Sequence, residues 1–139
     1  MAVNGTKILM KLKVGAAEKL VAGQISGTHD LRIDTVETTD KLSTAGAKTF
    51  MAGEHAITYK VDCNLVPTDA TNATYSEVYA AAKAKTAIDY TYGGIVTGEK
   101  KYSGKGIITG LSESAPKNGI ETFSIDLQVS GDETESVVV

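Results

Sequence analysis

Few side chains in this chain could do chemistry. Two histidines, His29 and His55, stand 26 positions apart, and Cys63 is the single cysteine. One cysteine cannot form an internal disulfide, and the spacing of these residues matches no pattern of metal ligands. His29 and Asp30 lie near Ser26, so a hydrolytic triad can be drawn, but the serine lacks the flanking glycines of a nucleophile elbow. The sequence therefore predicts neither a catalytic site nor a metal site.

A phosphate-binding loop is the other chemical pattern to consider. Gly104-Lys105-Gly106 combines glycine with a cation, but it lacks the context of a strand, a glycine-rich loop and a following helix. Cys63 falls on the apolar side of an alternating segment, which makes it a small core side chain and not a reactive thiol. We therefore expect no enzyme and no bound cofactor.

Length and composition predict one soluble domain over residues 1–139. Hydrophobic residues make up 42% of the chain and charged residues 22%, and fourteen glycines against two prolines indicate many turns. The net charge of -3 at pH 7 argues against a binder of duplex DNA, which needs clustered cations to displace counterions. The first twelve residues lack the continuous apolar stretch of a signal peptide, and no apolar run approaches a membrane span.

Apolar and polar residues alternate along most of the chain, with the period of a half-buried strand. The alternating segments are Thr6–Val14, Ala56–Leu65, Ala87–Tyr92, Tyr102–Leu111 and Glu121–Val129, and shorter strands are expected at Leu20–Ser26 and Leu31–Val36. Asn118-Gly119 is a strong hairpin signal. After Gly131, we interpret residues 132–139 as a C-terminal tail.

A single helix interrupts this pattern over residues 74–85. Thr74 and Glu77 fit a capping box, and Tyr75, Val78, Tyr79 and Ala82 form an apolar stripe that would pack on a sheet. The predicted fold class is mainly β with one helix (α+β): an antiparallel β-sandwich or barrel with one flanking helix and a long loop between strands.

That long loop covers residues 37–48, where the alternation stops. Its residues are small and polar, and Leu42 is the only sizeable apolar one. A loop of this length in a small domain is usually functional or disordered.

Glycines mark a second feature, the segment from Tyr102 to Leu111. Gly104, Gly106 and Gly110 stand at even spacing, so alternation would place all three on one face of a strand. A face without side chains is flat, and another backbone, helix or subunit can approach it closely.

The segment from Tyr102 to Gly131 resembles the C-terminal part of the major tail tube proteins of long-tailed phages, in the branch typified by lactococcal siphophages. A glycine-bearing strand leads through Ala115-Pro116-Lys117-Asn118-Gly119 into the strand Thr122-Phe123-Ser124-Ile125, which ends in glycine. The start at Asn4 to Ile8 and the threonine-rich connection after Asp34 are similar as well. The resemblance spans most of the chain.

The resemblance implies a structural virion protein of the phage tail. Its subunits would form hexameric rings whose inner strands close a barrel, and the stacked rings would make the conduit for DNA. The partners implied are other copies of the chain, the tail tape-measure, terminator and distal tail proteins, and DNA in passage, without membrane insertion and with assembly in the host cytoplasm. Ring stacking is assigned to the loop residues Glu37, Thr38, Thr39, Asp40, Lys41, Leu42, Ser43, Thr44 and Lys48, and subunit contact to Gly104, Gly106 and Gly110.

Two other readings stay open at this point. One is a tube subunit of a contractile tail or of an injection or secretion system, which uses the same fold. The other is a ligand-binding β-sandwich, which would show a signal peptide and exposed aromatic residues clustered on one face.

Overall fold

The computed structural model describes residues 8–15, 17–38, 48–66, 69 and 71–139. Its elements are β1 (Leu9–Lys13), β2 (Glu18–Leu20), β3 (Gln24–Glu37), β4 (Phe50–Asn64), α1 (Tyr75–Ala84), β5 (Ile88–Gly93), β6 (Lys100–Ser114), β7 (Thr122–Val129) and β8 (Thr134–Val137). All pairings between these strands are antiparallel. The predicted class, mainly β with one helix, is confirmed.

The strands form one sheet that folds over on itself. Its order is β2-β1-β5-β6-β7-β4-β3, with β8 also pairing with β6. The long β6 belongs to both halves, because its first part pairs with β5 and its second part pairs with β7. Rings on strands that do not pair meet between the halves: Tyr59 of β4 lies 5.1 Å from Tyr92 of β5, between ring centroids. The two halves therefore pack face to face, as in a sandwich.

The core between the halves consists of the alternating apolar residues that the sequence indicates. Met10, Leu12, Ile57, Tyr59, Val61, Cys63, Tyr90, Phe123, Ile125 and Leu127 are all less than 5% exposed. Alternation places them on the same side of their strands, while their sequence neighbours face outward. The predicted inward faces of β1, β4, β5 and β7 are confirmed.

Gln24 joins β3 to β1, where the folded sheet almost closes. Its side-chain oxygen accepts a hydrogen bond from the Met10 N–H at 2.9 Å, and its amide nitrogen donates to the carbonyls of Met10 and Val21. Just beyond it, a Cβ at Gly27 would lie 2.9 Å from the Tyr92 ring. Glycine is required there because β3 and the ring on β5 approach so closely.

The helix lies where the sequence places it, but its N-terminal capping and the burial of its apolar stripe differ from the prediction. Thr74 is the N-cap, but its side chain makes no cap hydrogen bond, and Glu77 instead pairs with Lys19 at 3.6 Å. The predicted capping-box interaction between Thr74 and Glu77 is therefore not formed, and that prediction is wrong. Val78 is fully buried, whereas Tyr79 is 47% exposed, so only part of the stripe packs on the sheet.

Several strand boundaries differ from the predicted ones, and three of the differences change the pairing or length of a strand most. The two short strands expected at Leu20–Ser26 and Leu31–Val36 are instead a brief β2 and one continuous β3, because β3 pairs with β4 over its whole length. The strand expected from Ala56 begins at Phe50, where glycine and small residues hide the alternation. The segment 132–139 contains β8, which pairs with β6.

Candidate assembly surface and its buried anchor

A two-stranded arm extends past the core at one end of the sheet. The arm consists of residues 31–37 of β3 and residues 50–57 of β4, which pair with each other but lie beyond the last residues of β7. Large apolar side chains on it are half exposed: Leu31, Ile33, Val36, Phe50 and Met51. Such a row of apolar residues on a strand pair is unusual on a free monomer and is typical of a surface that a partner covers.

The bulge between β7 and β8 lies beside the base of this arm. Strands β7 and β8 pair with the same side of β6 and would form one continuous strand without the residues between them. Those residues, 130–133, are four, but only two residues of β6 lie opposite them. Gly131 adopts a positive φ of 86° there, which favours glycine. Bulges redirect side chains, and this one turns Glu133 into the molecule.

Glu133 is the centre of a buried hydrogen-bonded cluster. Its carboxylate side chain is 8% exposed and accepts a hydrogen bond from the Tyr90 hydroxyl at 2.7 Å and a short one from the Tyr59 hydroxyl. His29 Nε2 donates to it at 2.7 Å. The His29 ring is stacked on Tyr102, with centroids 4.4 Å apart. Side chains of β3, β4 and β5 thus bind one carboxylate of the C-terminal segment, and a ring of β6 supports the histidine.

Burial sets the acid–base behaviour of this cluster. Desolvation, followed by the hydrogen bond to Glu133, raises the pKa of Tyr59 and of Tyr90 well above the ordinary tyrosine range. Both phenols therefore stay neutral donors over the physiological range, as a buried carboxylate requires.

The second histidine, which lies on the arm, contacts the same bulge. His55 Nε2 lies 3.2 Å from the Asp132 carboxylate, which also accepts a hydrogen bond from the Glu133 N–H. The pKa of Asp132 is lowered, first by that backbone hydrogen bond and then by His55. The chain's only two histidines therefore both bind neighbouring acids of one bulge, which anchors the C-terminal segment to the arm.

These contacts show what the residues considered for a hydrolytic triad and for a reactive thiol do in the structure. His29 bonds Glu133, whereas Asp30 pairs with Arg32 and Ser26 donates to Asp62, so no triad forms among them. Cys63 is fully buried, and burial raises its pKa to about 12. In the described ranges, no group of three or more possible metal-ligating residues comes together.

Sequence reasoning missed the Glu133 cluster. Glu133 stands in a polar stretch that looks like an exposed tail, and its partners are up to 104 positions away. One signal was present: His29 alternates with Leu31 and Ile33, so it occupies the apolar face of its strand, where an imidazole needs a partner.

Among the described residues, open edges flank the four strands β3-β4-β7-β6 on both sides. The outer edge of β3 is one, because β3 pairs only with β4. The other is the second half of β6, residues 107–114, which pairs with β7 but extends beyond β5. Open edges of this length invite pairing with another chain.

The four strands between these edges, in the order β3-β4-β7-β6, present a polar face opposite the core. Cross-strand partners share a face, and the face carries Ser26, Thr28, Asp30, Arg32, Thr58, Lys60, Asp62, Ser124, Asp126, Gln128, Ile107, Gly110 and Ser112. Asp62 accepts hydrogen bonds from Ser26 and Ser124 on its two neighbours. We call this surface the polar face.

The three glycines of β6 do not share a side of the strand, so that part of the prediction is wrong. A Cβ at Gly104 would meet Tyr90, and one at Gly106 would lie 2.9 Å from Leu127, so both face the chain's own core. A bulge between Ile108 and Gly110 reverses the alternation and turns Gly110 to the polar face beside Asp126. Subunit contact at these glycines stays a prediction.

The predicted stacking loop lies mostly outside the described residues. Glu37 ends β3 opposite Phe50, and the Thr38 N–H donates to the Thr49 carbonyl at 2.8 Å. Lys48 is exposed. The structure does not describe Thr39, Asp40, Lys41, Leu42, Ser43 or Thr44, whose role in stacking stays a prediction; the described ends show that this segment connects the two strands of the arm.

These features define a mainly β protein whose antiparallel sheet has open edges and a protruding arm with exposed apolar side chains. Residues 2–135 match the sequence profile of the phage tail tube protein family, and the chain belongs to that family. No curated protein sequence matches it. Members of the family are structural components of virion tails. No helix in the described part of the chain is long and apolar enough to cross a membrane.

Solved structures share the fold at low sequence identity. A chain in the virion of a native gene transfer agent particle superposes with a TM-score of 0.81 at 16% identity, covering 97% of this chain and 99% of that one. The SPP1 tail tube gives 0.79 at 16% identity over 99% and 81% of the two chains. A chain of the sheath–tube complex of an extracellular contractile injection system gives 0.69 at 15% identity over 99% and 93%.

Proposed function

We propose that this protein polymerises as stacked hexameric rings into a tail tube that conducts DNA into a host. The observation that carries the proposal is the pair of open edges on the sheet β3-β4-β7-β6. Strand direction alternates across these four strands, so β6 of one subunit and β3 of the next can pair antiparallel. A head-to-tail contact of this kind generates a closed ring when the rotation permits.

Six-fold symmetry is the rotation that the similar structures favour. The tail of the empty gene transfer agent particle, whose chain superposes with a TM-score of 0.81 at 17% identity, was refined with C6 symmetry. Six subunits with four strands each would form a continuous barrel without any open edge, which removes the aggregation hazard of the monomer.

In such a barrel the polar face lines the channel. Asp30, Asp62 and Asp126 outnumber Arg32 and Lys60 there, and hydroxyl and amide groups fill most of the remaining positions. A wall without a cation cluster gives the DNA backbone no counterion-release gain, so DNA passes without binding. The tape-measure, terminator and distal tail proteins are the partners proposed for the channel and the tube ends.

The ring closure has a direct test in hydrogen exchange. Backbone amides at the outer edge of β3 and in residues 107–114 of β6 should become protected when the purified protein assembles, because each gains a partner in the next subunit. Amides of β5, which already has neighbours on both edges, serve as the control and should not change. Negative-stain images should show tubes of uniform width. Tubes that form without new protection at these two edges would refute this mode of closure.

Ring stacking by the segment 37–48 is a separate part of the proposal. Deleting residues within 39–47 should leave the monomer folded and should block growth beyond single rings, since the segment joins the strands of a protruding arm. Electron microscopy of the deletion variant decides the matter: tubes of normal length would exclude the stacking role.

A tube subunit of a contractile or injection apparatus is the second candidate. The similarity to the sheath–tube complex of a contractile injection system favours it. Binding of a sheath protein to the assembled tube would separate the two, because a tube of a non-contractile tail has no sheath to bind. The lactococcal-siphophage branch stays a prediction of the sequence resemblance.

A further inference from the structure

The two ends of the subunit differ in shape and charge. The arm and β8 lie at the end where β6 begins, and the turn of residues 115–121 lies at the end where β6 finishes. With a strand rise of about 3.3 Å per residue, the ends are roughly 35 Å apart. Contact between unlike ends of two copies does not close and produces an open filament.

A groove of about 330 Å³ lies at the arm end, between the arm and the C-terminal segment. Leu31, Ile33, Ile57 and Tyr102 form its apolar part. Its polar part consists of the two histidines and the acids Asp132, Glu133 and Glu135. Leu31 and Ile33 are 51% and 54% exposed. The Glu135 backbone pairs with β6, but its carboxylate makes no hydrogen bond or ion pair with any residue that the structure describes, so its charge is available to a partner.

The turn at the opposite end carries an apolar side chain and a positive charge, which complement the apolar and acidic residues of the groove. Ile120 is 68% exposed, and among the described large apolar residues only the last residue of the chain is more exposed. Lys117 is exposed, and its ammonium group has no acidic partner in the described part of the chain. The connection between β6 and β7 thus presents one exposed apolar side chain and one exposed cation.

We propose that the turn of each subunit enters the groove of a subunit in the adjacent ring, with Ile120 against Leu31 and Ile33 and with Lys117 against Glu135. The occupant is a second copy of this chain. The proposal rests on the stacked-ring function above, and it names a stacking contact between described residues that is separate from the segment 37–48. Rings that use it stack with one polarity, because a turn cannot fit a turn.

Charge reversal with rescue tests the ion pair. Lys117→Glu should raise the critical concentration for tube formation, measured by light scattering, about tenfold or more, because like charges across an interface are strongly repulsive. Adding Glu135→Lys should restore it to within about threefold of the native value. Lys11→Glu, the same charge change in the middle of β1, should leave assembly unchanged. Each variant's urea midpoint should match that of the native protein, which shows that the monomer still folds.

A disulfide tests the contact without relying on charge. The only native cysteine, Cys63, is buried, so a Lys117→Cys, Glu135→Cys double variant carries two new accessible thiols. Oxidation of its tubes should give a covalent ladder of chains in non-reducing electrophoresis, because each subunit links to one above and one below. Lys11→Cys with Glu135→Cys should give no ladder.

The outcomes separate this contact from the proposed function. If the native protein forms tubes and Lys117→Glu assembles normally, the proposed contact is refuted but the tube function is not. The same conclusion follows if the double charge reversal fails to restore assembly. A missing ladder in the first cysteine pair overturns the contact as well. Native protein that never forms rings or tubes refutes the proposed function itself.

Discussion

Removing the Glu133 carboxylate is the sharpest test of the buried anchor. In a Glu133→Ala variant, the hydroxyls of Tyr59 and Tyr90 lose their acceptor. Both tyrosines are nearly inaccessible, at 2% and 1% exposed, so bulk solvent does not reach their hydroxyls in the native fold. The third donor, His29, has a side chain that is 20% exposed and can reach solvent.

The expected magnitude follows from these contacts. Each buried hydroxyl that loses its partner costs about 1–3 kcal/mol. Relief from burying a carboxylate, whose side chain is 8% exposed, offsets part of that cost. The free energy of unfolding should therefore fall by about 3 kcal/mol, and β8 should lose hydrogen-exchange protection, since its anchor is gone.

Urea unfolding at pH 7, followed by circular dichroism below the concentration of assembly, measures this loss. Glu135→Ala is the matched control: it removes a carboxylate two residues along that is exposed and unpaired within the described chain, so it should change stability by less than about 0.5 kcal/mol. A double-mutant cycle with Tyr59→Phe should show a coupling of about 1 kcal/mol or more. A loss below about 1 kcal/mol in Glu133→Ala, or equal losses in both alanine variants, would refute the anchor.

Three further predictions follow from the core and the cluster. Burial raises the pKa of Tyr59 and Tyr90, so above about pH 10 the unfolded chain releases their protons while the folded chain keeps them. The free energy of unfolding should therefore drop by about 1.4 kcal/mol per pH unit for each tyrosine. Urea unfolding at a series of pH values should show a shallower drop in Tyr59→Phe. Phe123→Ala removes a ring that is 2% exposed and should cost about 3 kcal/mol or more in chemical denaturation, whereas a cost under about 1 kcal/mol would place this ring outside the core. Gly106→Ala brings a methyl group within 2.9 Å of Leu127 and should lower stability by about 1–3 kcal/mol, with an unchanged melting curve as the contrary result.

Much of the fold could be predicted because the chain's local patterns are strong. The alternation around Val61 and Cys63 and around Ile125 and Leu127 places these residues inside, whichever strands turn out to be neighbours. The helix is similarly local. By contrast, the early start of β4 depends on β3, since the residues near Phe50 join a strand only because β3 extends alongside them.

The sequence by itself determined the class of fold, the inward faces of four strands and the absence of any motif for catalysis. The tertiary structure alone decided the candidate assembly surface. A bulge in β6 turns Gly110 away from Gly106, and a bulge before β8 turns Glu133 inward, because register depends on partner strands far away in sequence. Which edges stay open, and which end carries the arm, likewise follow from strand order, and no local pattern encodes that order.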